Sequence, residues 1–324
     1  MDLAHFMPEE LFVTSGRPQV RYSKLPASVF DAPFVSHAIR EFRAANTGHP
    51  SQVFDLRDHM DRVTSLPSIA PSGFVFHVSR CGSTLLSQML SVLPRNRVLS
   101  EPDVMSQYLY HCLQGDITFG PDEFRALLNS YGQAFTGQET SFFVKFTSWN
   151  LAFLDQILTA YPAVPWIFMQ RDPLEVMVSN FTKPTAPLRW FHTRPDLAAQ
   201  IAGIPKDALK SHSPEQFLAA CLKRYADSCA ACLKQFPGGL ALSYCDLPDI
   251  VPDRVASHFG LSLSAVEQEQ MMARGRMNAK LPAQGAFVAD IGDKQTQATK
   301  AMIAAVQERF EDAHAPAGNG ATGP

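Results

Sequence analysis

The chain has 324 residues, of which 46% are hydrophobic and 18% are charged, and its formal net charge is −3. These values fit a soluble globular protein, and the 23 phenylalanines predict a core dominated by aromatic packing. The slightly acidic balance argues against a protein that binds nucleic-acid phosphates over its surface, and no run of lysine and arginine suggests a membrane patch. Any anionic ligand is therefore expected at a local site.

Targeting segments and metal sites are not evident in the sequence. No charged segment followed by an apolar stretch begins the chain, and no apolar run reaches the roughly 18 to 20 residues that cross a bilayer. The one close cysteine pair, Cys229 and Cys232, lacks the second pair that would complete a zinc site, so both are expected on a packed helix face. We therefore expect a cytoplasmic protein that contacts neither membranes nor nucleic acids and holds no metal.

Predicted strands and helices alternate after an irregular first segment. Residues 1–72 carry scattered prolines, and we expect an irregular extension with a short helix. The alternation that follows is typical of a parallel sheet with helices on both faces, a P-loop-type three-layer α/β fold. The predicted strands are 73–78, 97–99, 141–146, 164–170 and 239–244, and the predicted helices are 34–45, 85–93, 104–113, 122–134, 150–160, one from 174 onward, and 214–235.

Three boundaries complete this prediction. The α/β domain is expected to span residues 73–313. Within it, residues 182–212 hold several prolines and little periodicity, which predicts a long functional loop region. Residues 314–324 are poor in large apolar side chains and are expected to be a disordered tail.

Residues 79–84 (SRCGST) form a tight turn between the first of these strands and its helix. A strand, a turn with glycine and a helix place unpaired backbone amides at a helix N-terminus, which favours a bound anion. Gly82 permits close approach, and Ser83 and Thr84 offer hydroxyl groups. Arg80 could bind the same anion. Because the lysine and first glycine of ATP-hydrolysing P-loops are absent, the turn predicts phosphate binding without ATP hydrolysis; the alternative is a turn whose serines only cap the helix.

A second candidate phosphate site follows the predicted strand 164–170. Arg171 comes directly after this strand, and Ser179 lies eight residues later on the next helix. Because the carboxyl ends of parallel strands meet at one edge of a sheet, Arg171 is expected near the turn, where it and Ser179 could bind a second phosphate. A nucleoside with phosphates at its 3′ and 5′ positions needs this arrangement. The alternative for Arg171 is an ion pair with Asp172 at the helix start.

Together these two segments resemble the sulfotransferase superfamily, whose members use 3′-phosphoadenosine 5′-phosphosulfate (PAPS) and release 3′-phosphoadenosine 5′-phosphate (PAP). HVSRCGSTLLSQML is similar to the family's 5′-phosphosulfate loop and FMQRDPLEVMVSNF to its 3′-phosphate segment. The loop arginine is shared with the tyrosylprotein sulfotransferases and the bacterial sulfotransferase-like proteins. Cys81 replaces the usual serine and keeps its backbone amide. The resemblance covers residues 73–247 and implies PAPS binding by Arg80, Cys81, Gly82, Ser83, Thr84, Arg171 and Ser179.

The resemblance also implies the catalytic residues. Glu101 lies 21 positions after the loop arginine, where the tyrosylprotein enzymes carry a catalytic glutamate, and Lys145 in FFVKFT matches their catalytic lysine. Glu101 is thereby implied as general base, with Arg80 and Lys145 stabilising the transferring group. The sulfuryl group carries less charge than a phosphoryl group, so no metal is required. From the residues alone, Glu101 could instead pair with Arg97 or Arg80, Lys145 could be a solubilising strand-edge lysine, and His77 is expected to be a hydrogen-bonded core imidazole.

Further residues match positions of lower specificity. Lys183 lies where the family places another basic phosphate ligand, and Tyr244 in LSYCDL resembles a family tyrosine. The segment 290–294 (DIGDK) is similar to the cofactor-closing loop, which implies a role for Lys294 or Lys280. The arginine-lysine-glycine signature of the cytosolic enzymes is missing from this segment.

Two other functions stay open. A small-molecule or nucleotide kinase would use the turn for ATP, but the loop lysine and a magnesium-binding carboxylate after a strand are missing. A catalytically silent module of the same fold would hold the nucleotide and form no product. If the chain is a sulfotransferase, its acceptor is expected to be a small molecule with a hydroxyl or amine group, whose identity the sequence does not give. The oligomeric state is equally open.

Overall fold

The computed structural model describes residues 5–30, 32–279, 292 and 294–310. The chain divides into two units, one of Met1–Arg171 and Ser228–Ala289 and the other of Asp172–Asp227 and Asp290–Pro324. The domain boundaries expected from the sequence stay predictions, and the tail predicted at 314–324 lies outside the described residues.

The first strands of the chain form a three-stranded antiparallel sheet, so the expectation of an irregular segment is wrong here. The alternating pattern of the first strand is broken by a bulge between Pro8 and Glu10. Glu9, at this bulge, is buried, and Arg43 pairs with its carboxylate at 2.6 Å. This pairing offsets the cost of burying the charge. The sheet consists, in order, of β1 (Phe6–Thr14), β2 (Arg17–Lys24) and β3 (Ser51–Asp55).

Five parallel strands form the second sheet of the first unit: β4 (Pro71–His77), β5 (Asn96–Ser100), β6 (Ser141–Lys145), β7 (Trp166–Gln170) and β8 (Gly239–Ser243). Their order across the sheet is β5–β6–β4–β7–β8. All residues of β5 and β6 are buried, as expected for strands covered on both faces. The predicted fold class, a P-loop-type α/β fold with a parallel sheet flanked by helices, is confirmed.

Each helix predicted from the sequence is present, although the stretch predicted at 150–160 begins as a 3-10 turn, Ser148–Phe153. The described α-helices are, in chain order, α1 (Val35–Ala45), α2 (Met60–Thr64), α3 (Ser83–Ser91), α4 (Asp103–Gln114), α5 (Pro121–Tyr131), α6 (Leu154–Ala160), α7 (Pro173–Thr182), α8 (Ala186–Thr193), α9 (Pro195–Ala202), α10 (Lys206–Leu209), α11 (Pro214–Gln235), α12 (Ala256–His258), α13 (Ala265–Gly275) and α14 (Lys300–Phe310). Of these, α2, α8, α9, α10, α12, α13 and α14 were not predicted from the sequence.

The region predicted as a long loop, residues 182–212, is helical in the structure, so this prediction is wrong. It contains α8, α9 and α10 in the second unit. Pro187 and Pro195 lie in the first turns of α8 and α9, where a missing N–H breaks no helical hydrogen bond. Prolines that suggested chain breaks therefore mark helix starts.

Aromatic side chains fill the core around the parallel sheet, as the phenylalanine count predicts. The rings of Phe76 and Phe146 stack at 4.9 Å between centroids, and Phe74 meets Phe146 edge to face at 5.3 Å. These contacts fix β4 close to the strand end at which Lys145 lies. Among the helices of the described residues, none combines the length and the apolar character needed to span a bilayer.

Candidate active site

Each strand of the parallel sheet ends beside a residue that the sequence singled out. Register places Ser100 of β5 opposite Lys145, His77 opposite Met169 of β7, and Gln170 opposite Ser243 of β8. The carboxyl ends of all five strands therefore lie along one edge, where ligands bind in open α/β sheets. In sheet order this edge carries Glu101, Lys145, His77 with the loop that follows it, Arg171 and Tyr244.

The loop after β4 is held in an unusual backbone conformation. Ser79, Arg80 and Gly82 have φ values of 68°, 50° and 80°, all in the left-handed region. A Cβ atom on Gly82 would lie 2.5 Å from Cδ1 of Leu247 and 2.9 Å from Cδ2 of Tyr244, so any other residue would displace these side chains as well as strain the backbone. Helix α3 begins directly after this glycine and directs its first amides out of its N-terminus. This geometry suits an anion, as the sequence predicts.

Cys81, the loop residue that replaces the usual serine, is fully buried. Burial raises the pKa of its thiol to about 11, so the side chain is neutral at physiological pH. The thiol is therefore a poor nucleophile and a weak hydrogen-bond donor. In this position the residue can assist an anion through its backbone amide.

Glu101 and Lys145 form a close ion pair between the ends of β5 and β6. The backbone amide of Glu101 donates to the carbonyl of Lys145 at 2.8 Å, and the Lys145 ammonium lies 3.4 Å from Oγ1 of Thr84 on the loop. The Lys145 side chain is only 1% exposed. The alternatives from the sequence, a solubilising lysine at a strand edge and a glutamate paired with Arg97, are therefore wrong. Arg97 instead pairs with Glu139 at 2.8 Å.

Two residues that the sequence did not place at the site border this pair. Nε2 of His77 lies 3.6 Å from Oε1 of Glu101, and the ring of Phe34 lies 5.1 Å from Nζ of Lys145. His77 is buried and bonded, as predicted for a core imidazole, but it is also the last residue of β4. Its place at a strand end was the signal that could have identified it. Phe34 belongs to the amino-terminal segment, which the family resemblance does not cover.

The electrostatics of the site keep Glu101 ionised. Burial alone would raise the pKa of Glu101, but the Lys145 ammonium and His77 outweigh it and hold that pKa well below its usual range. Burial lowers the pKa of His77, and Lys145 adds to this effect while Glu101 opposes it, so the imidazole is neutral at physiological pH. Burial also lowers the pKa of Arg80, against the attraction of Glu101. A guanidinium stays charged despite such a shift.

Arg171 connects the second candidate phosphate site to the loop. It is 9% exposed, its Nη1 donates to the backbone carbonyl of Arg80 at 3.1 Å, and its guanidinium lies 4.1 Å from the ring centroid of Tyr244. The structure thus brings together Arg80, Arg171 and Tyr244, three of the residues that the resemblance implies for the cofactor. The alternative for Arg171, a surface ion pair with Asp172, does not account for this hydrogen bond to the loop backbone.

The other candidate residues lie in the second unit. Ser179 is buried in α7, and among the described residues its hydroxyl has no hydrogen-bond partner. Lys183 follows the end of the same helix and is exposed. The amide of Gly292 donates to Glu175 of α7 at 2.7 Å, which brings the described part of the segment containing Lys294 to this helix. The other lysine considered for the closing segment, Lys280, lies outside the described residues.

Metal ligands do not cluster in the described parts of the chain, where no group of three histidine, cysteine or acidic side chains could hold an ion. Cys229 and Cys232 are buried on α11. Burial raises the pKa of Cys232 to about 11 and that of Cys229 further, so both thiols are protonated and suit helix packing.

Comparison with solved structures finds similarity to sulfotransferases. The chain matches the sulfotransferase STF9 from Mycobacterium avium with a TM-score of 0.47 and 11% identity, over 80% of this chain and 79% of that chain. It matches the mouse sulfotransferase SULT7A1 complexed with PAP with a TM-score of 0.45 and 12% identity, over 80% and 90%. The sulfotransferase STF1 from Mycobacterium tuberculosis matches at 0.42 and 15%, over 88% and 89%. No family model and no curated protein sequence matches the chain.

Proposed function

We propose that the chain is a PAPS-dependent sulfotransferase that transfers a sulfuryl group to the hydroxyl or amine of a small molecule. The observation that carries this proposal is the Lys145–Glu101 pair, whose lysine is buried, beside the loop after β4, with Thr84 of that loop 3.4 Å from the lysine. A cation and a carboxylate side by side supply the two groups that such a transfer needs: charge stabilisation and a proton acceptor.

The donors around the loop fit a nucleotide with two separate phosphate groups. Arg80, the amides of the loop and the hydroxyls of Ser83 and Thr84 offer one cluster, and Arg171 offers a second cation bonded to the loop backbone. The buried, unpartnered hydroxyl of Ser179 among the described residues is a further donor of the kind that the 3′-phosphate requires. Three assignments stay predictions of the resemblance: Ser179 and Lys183 as ligands of the 3′-phosphate, and Lys294 as a residue of the closing segment.

The residues divide the work by charge. When bound, PAPS would supply the sulfuryl group and leave as PAP. Arg80 and the amides of residues 81–84 would hold the 5′ end, and Arg171 would hold the 3′-phosphate. Lys145 would donate to the oxygen whose bond to sulfur breaks, because negative charge grows there. Glu101 would take the proton from the acceptor as that atom attacks sulfur, which general-base catalysis favours by about 10²- to 10⁴-fold.

The first test is a calorimetric titration with PAP in the absence of magnesium, with ATP and AMP as comparison ligands. We expect micromolar binding of PAP, weakened about 30- to 100-fold in Arg80→Ala and Arg171→Ala because each removes a charge-assisted contact. Arg125→Ala is the control, because this arginine pairs with Asp122 at the surface. Failure to bind PAP, or preference for magnesium-ATP, contradicts the proposal and returns the kinase to consideration.

A catalytically silent nucleotide-binding module is the second candidate function. It is distinguished by an acceptor screen with sulfur-35-labelled PAPS and small hydroxyl and amine compounds. We expect labelled product in the wild type and its loss in Glu101→Gln, with PAP binding retained in that variant. A wild type that binds PAP and forms no labelled product would favour the silent module.

A further inference from the structure

His77 is held by the loop that it introduces. Its Nδ1 accepts a hydrogen bond from the backbone amide of Ser79 at 3.1 Å, and the residue is 4% exposed. A neutral imidazole that accepts through Nδ1 carries its proton on Nε2. The loop backbone therefore fixes the tautomer and directs an N–H donor away from the loop.

This donor faces the carboxylate of Glu101. Nε2 of His77 and Nζ of Lys145 both approach the same oxygen, Oε1, with the imidazole 3.6 Å away and the ammonium in close contact. In the described parts of the chain, the second oxygen of Glu101, Oε2, accepts no hydrogen bond. The side chain keeps 22% of its surface exposed. The two oxygens of one carboxylate thus have different surroundings.

We propose that His77 is a positioning residue whose buried Nε2–H, which has no hydrogen-bond partner among the described residues, bonds Oε1 of Glu101 when Lys145 turns to the transferring group, so that Oε2 is the atom that takes the proton from the acceptor. This inference rests on the proposed transferase function. It assigns His77 no contact with the substrate and no proton transfer of its own.

A reason for two donors follows from what Lys145 must do. While its ammonium is bound to Glu101, the carboxylate is a weak base, and the lysine is not available to stabilise the transferring group. When the ammonium turns toward that group, the basicity of Glu101 rises, but the carboxylate would then be free to rotate. A neutral imidazole at Oε1 prevents this rotation with less loss of basicity, and a long contact in the resting site can shorten at that step.

The same imidazole shapes the phosphate loop. By accepting the amide two residues ahead, it acts as an asparagine does in an Asx turn, and Ser79 adopts its φ of 68° in this turn. His77 therefore joins the loop that would hold the nucleotide to the carboxylate that would activate the acceptor. Asparagine at this position keeps the turn and removes the donor, whereas glutamine keeps a donor near Nε2 and removes the acceptor of the turn.

The tautomer and the contact can be measured without turnover. Long-range ¹H–¹⁵N correlation spectra of the full chain should show His77 protonated at Nε2, and Glu101→Gln should shift that signal. Asp103→Asn removes a carboxylate two residues away and is the matched control, so it should leave the Nε2 signal nearly unchanged. Protonation at Nδ1, or no response to Glu101→Gln, would overturn the inference whatever the function of the protein.

The catalytic consequence is tested by sulfate release from labelled PAPS with water as the acceptor and the enzyme in excess. We expect His77→Asn to slow release about 10-fold and His77→Gln less than about threefold. The PAP dissociation constant should change less than about twofold in His77→Asn, which keeps the acceptor of the turn at Ser79. His258→Asn is the control, because this partly buried imidazole bonds the carbonyl of Trp166 at 3.1 Å. Equal rates in the wild type and His77→Asn would overturn the positioning role. A wild type that does not bind PAP would instead overturn the proposed function, and the spectra would then decide the contact alone.

Discussion

Strained backbone residues concentrate at the candidate site. Of the described non-glycine residues with positive φ, Ser79, Arg80 and Glu101 lie at the strand ends that form it. An L-residue in this region is less stable by about 1 kcal/mol or more, so the surrounding contacts must hold it there. For Glu101, the hydrogen bond from its amide to Lys145 supplies such a contact. With this backbone conformation, the carboxylate of Glu101 contacts Lys145 on the neighbouring strand.

Gly82→Ala tests whether the loop requires its close packing. Gly82 and Gly115 have the same φ of 80°, but only at Gly82 would an added Cβ atom meet side-chain atoms within 3 Å, those of Leu247 and Tyr244. We expect Gly82→Ala to lower the free energy of unfolding by about 2–4 kcal/mol and to weaken PAP binding at least 10-fold, roughly, because the loop must shift.

Gly115→Ala is the matched control, because nothing lies within 4 Å of the place that its Cβ atom would take. It should lower the free energy of unfolding by about 1 kcal/mol from backbone strain and leave PAP affinity unchanged. Thermal unfolding and calorimetry measure both quantities. Similar PAP affinity in Gly82→Ala and Gly115→Ala would mean that contact with Leu247 and Tyr244 does not shape the loop.

At the level of single residues, sequence reasoning identified Glu101 and Lys145 by their matches to family positions but could not show that they pair. Their pairing depends on the register of β5 against β6, which places Ser100 opposite Lys145. His77 was interpreted as a core residue, correctly as to its burial. Its nearness to Glu101 requires knowing that β6, the neighbour of β5, also lies beside β4, and a sequence pattern does not carry strand order.

At the level of elements, the strands of the parallel sheet were predicted because most of them are short apolar runs with turn residues at their ends. The elements that were missed have mixed composition. The strands β1 and β2 carry prolines and charges, and the helices α8 and α9 begin with prolines. The strand β1 is stabilised by tertiary contacts, such as the hydrogen bond from Tyr131 to the carbonyl of Pro8 at 2.6 Å. Such contacts leave no pattern in the local sequence.

The residue before α1, Phe34, covers the Lys145–Glu101 pair, which gives an element-scale prediction. The Phe34 ring faces the Lys145 ammonium at 5.1 Å, an interaction of about 1 kcal/mol at a partly buried site. Phe34→Ala should therefore raise the population in which the lysine is accessible about fivefold. The measurement is the rate of Lys145 acetylation by acetic anhydride, followed by mass spectrometry.

Phe30→Ala is the control for this prediction. Phe30 lies in the same amino-terminal segment, and its ring faces the guanidinium of Arg97 at 4.7 Å, a second cation that belongs to a different ion pair. It should leave the Lys145 acetylation rate unchanged. If both variants label Lys145 equally fast, loosening of the whole segment explains the exposure, and the specific cover by Phe34 is refuted.

Over the whole molecule, a low charge content coexists with several strongly coupled ion pairs. Only 18% of residues are charged, yet the carboxylates of Glu101, Glu139 and Asp55 all have lowered pKa values. A carboxylate whose pKa is lower in the folded than in the unfolded chain stabilises the fold at any pH above its pKa in the unfolded chain. That stabilisation is lost as the pH falls through the pKa of the carboxylate in the folded chain. The molecule should therefore lose stability steeply between about pH 5 and pH 2.

Glu139 provides the sharpest test of this acid limb. Burial would raise its pKa, but hydrogen bonds from its own backbone and from Thr136, with the pairing to Arg97, hold that pKa at about 2. Glu139→Gln should reduce the free energy of unfolding by about 3 kcal/mol at pH 7 and flatten its fall below pH 5, so that the two proteins converge near pH 2. Denaturant titrations across this range measure the difference.

Glu10→Gln, in an exposed pair with Arg21, is the control, and its free energy of unfolding should follow that of the wild type at every pH. A constant gap between Glu139→Gln and the wild type at every pH would mean that the carboxylate stabilises the fold by its shape and not by its charge.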